Sequence, residues 1–314
     1  MSFQFDNLAR AVADDGRVAP DEILSLRQLG WGDGQIAREE AEAIFAINRQ
    51  IVLPGNDWVD FFVEAVSEFV LNGTEPKGMC DESEAQWLMQ AIDHDGRLET
   101  MAELEALVRI VEKARNVPDS LKHYALEQIE HAVLHGEGPT RDGGELSSSH
   151  VSTAECTLLR RLVFASGGHR PAAVSRHDAE MLFRIKDATL HASNALEWPK
   201  LFVDGVANYL RGFTAANAQL SHARMKELEG FIGDNSVNVG RFFGRMAKEA
   251  PRVANHFGKV FGQKGVGTDY TVRAIEGEMV TENERKWLNR MIEADGELDA
   301  LEKALIERVE AELD

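Results

Sequence analysis

Trp58-Val-Asp-Phe-Phe-Val-Glu-Ala-Val66 is matched later in the chain by Trp198-Pro-Lys-Leu-Phe-Val-Asp-Gly-Val206. Tryptophan is the least expendable core residue, and the Phe and Val positions that follow recur at three-to-four spacing, the signature of one apolar helix face. Working outward, Ile36 to Ile47 (IAREEAEAIFAI) matches Val174 to Ile185 (VSRHDAEMLFRI). Further upstream, Val18 to Leu29 matches Val151 to Leu162, aligning Glu22 with Glu155. Downstream, Glu84 to Leu88 with Asp95-Gly-Arg-Leu98 matches Glu284 to Leu288 with Asp295-Gly-Glu-Leu298. Four blocks in the same order read as a tandem duplication.

The period between these blocks is helical throughout. Ile44, Ile47 and Ile51 recur on one face, as do Leu104, Leu107, Val108 and Val111, and then Leu126, Ile129, Val133 and Leu134. Ser152-Thr-Ala-Glu155 and Thr281-Glu-Asn-Glu284 carry the S/T-x-x-E pattern that caps a helix start. Long alternating apolar patterns are missing, so the expected fold is all-α, a helical bundle built from a repeated unit. The expected division is a first unit at 1–113, a connector helix with a Gly/Ser linker at 114–149, and a second unit at 150–314. Gly136 to Gly144 and Ser147 to Ser149 mark the linker. The second unit carries an insertion at roughly 213–275.

Composition narrows the class. Across 314 residues, 34 Lys and Arg face 53 Asp and Glu, for a formal charge of -19, and 44% of residues are hydrophobic. That is enough apolar material for cores, and a net negative field that disfavours nucleic acid. Cys80 and Cys156 sit apart, outside any Cys-x-x-Cys spacing, and read as reduced thiols. The start has no basic-then-apolar signal, and no apolar run reaches the ~20 residues of a membrane span. The expectation is a cytoplasmic protein.

The chemistry-bearing residues gather at short Asp-Gly turns between helices. These are Asp15-Gly16-Arg-Val18 with Glu22, Asp95-Gly96-Arg-Leu98 with Glu103, and Asp295-Gly296-Glu-Leu298 with Glu302. In a calcium-loop register, glycine at position six makes the sharp turn and a late Glu closes the oxygen cage. Position five is Asp each time, but position one is Ala11, Ala91 and Met291, which cannot ligate. The candidate sets are therefore Asp93, Asp95, Glu99 and Glu103, and, better supplied, Glu293, Asp295, Asp299 and Glu302. They point to a weakly bound calcium or magnesium ion, or to no cofactor at all. The competing reading needs no ion: glycine ends one helix and an early acid complements the dipole of the next.

Helix pairs joined by Asp-Gly-x-[Val/Leu] with a Glu shortly after resemble the tellurite-resistance TerB-like helical domains and, more distantly, degenerate EF-hands. The resemblance covers each repeat's helix pairs and leaves out the insertion. It implies an all-helical domain in which acids on facing helices bind a cation, with Glu22, Glu42, Glu155 and Glu180 in the matching places.

The insertion reverses the chain's charge. Residues 235–268 hold Arg241, Arg245, Lys248, Arg252, Lys259 and Lys264 against the single acid Glu249. Val239, Phe242, Phe243 and Met246, then Val253, Phe257, Val260 and Phe261, give two short basic amphipathic helices. Arg241, Phe242, Phe243, Arg245, Phe257, Lys259 and Phe261 are the partner-binding candidates. Such a segment suits docking on its own acidic chain, on a protein partner, or on an anionic membrane.

Catalytic signatures fall short. His131 and His135 are one turn apart, but Ala132 stands where a HExxH glutamate belongs. The expected function is a non-enzymatic helical interaction or regulatory protein. The alternatives are a membrane or partner adaptor acting through the insertion, and a carboxylate-metal enzyme of unrecognised type.

Overall fold

The computed structural model describes residues 16–30, 34–52, 54–93, 97–141, 149–165, 173–210, 282–294 and 298–310. Among them the chain is all-α, with eleven helices. In chain order these are α1 (Pro20–Gly30), α2 (Arg38–Asn48), α3 (Asn56–Asn72), α4 (Glu82–Ile92), α5 (Met101–Lys113), α6 (Asp119–His135), α7 (Thr153–Val163), α8 (Arg176–Thr189), α9 (Trp198–Leu210), α10 (Glu282–Ile292) and α11 (Ala300–Glu310). Met79 and Asn116 form an isolated parallel bridge. No helix there is long and apolar enough to cross a membrane.

Residues 1–209 and 295–312 form one compact unit and residues 210–294 another. All but the last residue of α1–α9, together with α11, belong to the first, so both runs of matched sequence blocks lie largely within it. Of the second unit, only Leu210 and residues 282–294 are described. The partner-binding candidates of the insertion lie outside the described residues.

Local sequence explains where the helices start. At α4, α5, α7 and α8 the N-cap side chain (Asp81, Thr100, Ser152, Ser175) accepts from the third helical N–H, and the acid at that third position reaches back to the cap's own N–H. This reciprocal box satisfies two of the backbone donors a helix start otherwise leaves open. Ser152 to Glu155, read from sequence as a cap, is one of the four; Thr281 lies outside the described residues. At its far end α6 stops at Gly136, whose φ of 69° is the left-handed conformation that glycine adopts without a Cβ clash.

The apolar faces then meet. Trp58, Phe61, Phe62 and Phe45 are buried with α5's Leu104, Leu107, Val108 and Val111, and α3 packs along α5. Phe45 and Phe62 meet edge-to-face at 5.2 Å, and Phe183 and Phe202 repeat that geometry at 5.1 Å. Edge-to-face pairs add about 0.5–1.5 kcal/mol beyond burial. These four residues occupy matching places in the paired sequence blocks.

Helix α6 is the spine of this unit. It packs against α4, α5, α7 and α8. Charged pairs also link these helices. Arg161 of α7 forks onto Glu105 and Glu112 of α5 at 2.6–2.8 Å, and Arg184 of α8 holds Glu130 of α6 at 2.6 and 2.9 Å. Burial opposes the Arg161 charge, but the two carboxylates outweigh it and hold the guanidinium above its ordinary range.

Candidate functional site

The described residues expected to hold a cation differ in exposure and in what they pair with. Asp93 is the exposed C-cap of α4, Glu99 is exposed, and Glu103 is buried at the start of α5. Glu293 is exposed just past α10, in the other compact unit. Asp95 and Asp295 lie outside the described residues. Among the described members, the Glu99 N–H donates to Glu103 Oε2 at 3.3 Å, and Asp299 meets Glu302 as a helix start. The Asp299 N–H donates to Glu302 Oε2 and the Glu302 N–H donates to Asp299 Oδ1, both at 3.0 Å.

Their positive counterpart is part of the protein. Lys186 of α8, wholly buried, donates from Nζ to Glu302 Oε1 at 2.7 Å and to Asp299 Oδ2 at 2.5 Å. It also reaches Asp187 at 2.7 Å. Burial alone would lower the Lys186 pKa, but these three carboxylates raise it above the ordinary range. Asp299 is correspondingly held low: burial pushes it up, and the Lys186 and backbone hydrogen bonds outweigh that. An ammonium therefore stands where a bound cation was expected for this pair.

The other early acids follow the same rule. Glu155, with no exposed surface, accepts from Arg141 Nε and an Arg141 terminal nitrogen, each at 2.8 Å, and from the Thr140 hydroxyl at 2.8 Å. Asp178 pairs with Lys122 of α6 at 2.8 Å. Glu22 caps the Ala19 N–H at 2.7 Å. Glu42 and Glu180 form exposed i,i+4 pairs with Arg38 and Arg176. Each of these carboxylates is engaged by a group of the chain itself.

One position differs in chemistry between the matched sequence blocks. Asn48 immediately follows the matched block ending at Ile47, and Lys186 immediately follows the one ending at Ile185. Asn48 uses both ends of its amide: Nδ2 donates to Glu103 Oε1 at 3.2 Å, and Oδ1 accepts from Trp58 Nε1 at 2.9 Å. Lysine has donors only. Trp198, which matches Trp58, is buried and its Nε1 has no hydrogen-bond partner among the described residues.

A second cluster lies on the α6–α8 seam, where sequence spacing gave no hint of it. His123 of α6 stacks on His177 of α8 with ring centroids 4.0 Å apart. Asp178 follows His177, and one ligand-capable atom from each of the three lies within 4.8 Å of the others. Asp178 Oδ2 is held by Lys122 and by the Ser175 N–H at 3.1 Å, while its buried Oδ1 has no partner among the described residues. His177 Nδ1 is likewise buried and unpartnered there. Burial first, then the neighbouring His177, lowers the His123 pKa and favours the neutral, ligating imidazole. The histidines read from sequence, His131 and His135, face one another at 4.4 Å on α6.

Comparison of the chain with known protein families, with curated proteins and with solved structures finds no match.

Proposed function

We propose that this chain is a non-enzymatic helical interaction protein: a duplicated, TerB-like scaffold that presents the basic segment 235–268 to an anionic surface. The observation that carries the reading is the charge reversal, six Lys and Arg against one acid in a chain of net charge -19. The phenylalanines interleaved with those cations favour an anionic bilayer, which takes up apolar and positive faces together. Lys186 supports a structural role for the last Asp-Gly turn, because it neutralises Asp299 and Glu302 without an ion.

Two measurements test this. The full chain is expected to co-sediment with phosphatidylserine-containing vesicles and not with neutral phosphatidylcholine, whereas a chain lacking 235–268 stays in the supernatant. Equal partitioning of the two proteins would remove the membrane reading. Calorimetric titration with calcium and with magnesium is expected to give no saturable heat and no change in melting temperature. Saturable binding of either ion would return the turns to a metal-binding role.

A further inference from the structure

We infer that His123, His177 and Asp178 form a binding site for a divalent transition-metal ion of the zinc class. The site is distinct from the Asp-Gly turns and goes beyond the surface-binding role proposed above. Two observations point independently to a ligand. Three donors from two helices lie within 4.8 Å of one another. Two of them present buried polar atoms, Asp178 Oδ1 and His177 Nδ1, that have no hydrogen-bond partner among the described residues. A buried carboxylate oxygen left unanswered is costly, and an ion is the partner that suits it best.

The surroundings of Asp178 have the form of an outer shell. Its Oδ2 is fixed by Lys122 Nζ at 2.8 Å and by the Ser175 N–H at 3.1 Å, and its own N–H is tied to Ser175 Oγ. The side chain is thereby oriented by one oxygen and offers the other, the arrangement that tunes carboxylate ligands in metal sites. Lys122 also donates to the Val163 carbonyl at 3.5 Å, which anchors the ammonium on the Oδ2 side. Its charge lowers the attraction for a cation, so the two imidazoles must contribute much of the affinity.

The donor set decides the kind of metal. Two imidazole nitrogens and one carboxylate oxygen suit zinc, cobalt, nickel or copper, whereas calcium and magnesium require oxygen cages. Ligand atoms of a tetrahedral zinc site stand about 3.3 Å apart, from metal–ligand bonds of about 2.0–2.1 Å. Loading therefore turns the two stacked imidazoles toward a common point, a change within reach of their side-chain torsions. Three protein ligands leave one coordination position for water. A metal here would tie α6 directly to α8.

The test is calorimetric titration of the full-length protein with zinc chloride, together with the visible absorption of the cobalt-substituted protein. One zinc per chain is expected, with a raised melting temperature and the intense d–d bands of four-coordinate cobalt. His123→Ala and His177→Ala, each at a half-buried position, should weaken zinc binding at least tenfold and abolish the cobalt bands, with the helical circular dichroism unchanged. The double variant His131→Ala/His135→Ala should bind zinc as the parent does. Absence of zinc binding in the parent, full binding in either His123 or His177 variant, or loss confined to the His131/His135 variant would each overturn the assignment. The cobalt spectrum is read on the unsubstituted chain and so decides even if one variant fails to fold. Silence with calcium and magnesium leaves this proposal standing, and a failed vesicle assay does not touch it.

Discussion

Lys186→Met is expected to lower unfolding stability at neutral pH by about 3–5 kcal/mol, read from urea denaturation followed by helical circular dichroism. Methionine fills much of the lysine's volume, so the loss comes from charge rather than from a cavity. It strands Glu302, which has no exposed surface, and Asp299 beside it, both of which lean on the one ammonium. Removing one member of a buried pair leaves the other's desolvation uncompensated, which is why the cost exceeds the net value of the pair. Adding Glu302→Gln to Lys186→Met should recover part of the loss, because the neutral amide can still cap the start of α11. A loss below 1 kcal/mol in the single variant would mean that the ammonium is not the partner of these carboxylates. The pH profile follows in sign. Asp299 titrates below its ordinary value in the folded protein, so its contribution is present above that ordinary value and disappears as pH falls through the depressed one. Lys186→Met should flatten that acid limb.

Asn48→Leu is the corresponding experiment in the first half, with an expected loss of about 3 kcal/mol. The leucine preserves bulk but removes the acceptor of the buried Trp58 indole N–H and a donor to the Glu103 carboxylate. Leaving a buried donor unsatisfied costs about 1–3 kcal/mol, and a hydrogen bond to a charged group contributes about 1.5–3 kcal/mol. Trp58 fluorescence should shift on the same substitution, since the indole loses its polar neighbour. In the second half the comparable indole, Trp198, has no partner among the described residues, so Lys186→Met should leave Trp198's own environment far less changed. Equal spectral shifts in both variants would contradict the stated difference between Asn48 and Lys186.

Much of the architecture was legible without coordinates because it is written in short-range chemistry. The three-to-four spacing of Leu104, Leu107, Val108 and Val111 specifies a helix with one apolar face, and all four residues are buried. Ser152-Thr-Ala-Glu155 specified a capped start because both partners sit within one turn. The missing first ligand at Ala11, Ala91 and Met291 already argued against a full calcium cage, for purely chemical reasons. Two acids at a turn are what a cation site and a helix start both require. What the local pattern could not contain was Lys186, 113 residues before Asp299. A counter-charge brought in from another helix leaves no local trace.

The histidine cluster leaves no local trace either. His131 and His135 share a helix face, whereas His123 and His177 lie on separate helices, far apart in the chain. Their meeting depends on how α8 settles against α6, and nothing in the spacing of either residue encodes that.

Local chemistry sets an acidic, helical chain, the capped start at Ser152, the apolar faces that pack, and the one segment whose charge runs against the rest. These follow from backbone periodicity and capping within a turn or two. Packing sets which charges neutralise which, brings Lys186 to the acids of a distant turn, and gathers two histidines and an aspartate where α8 meets α6. Side-chain chemistry at a distance exists only once packing has closed that distance, and burial then makes each of those contacts strong.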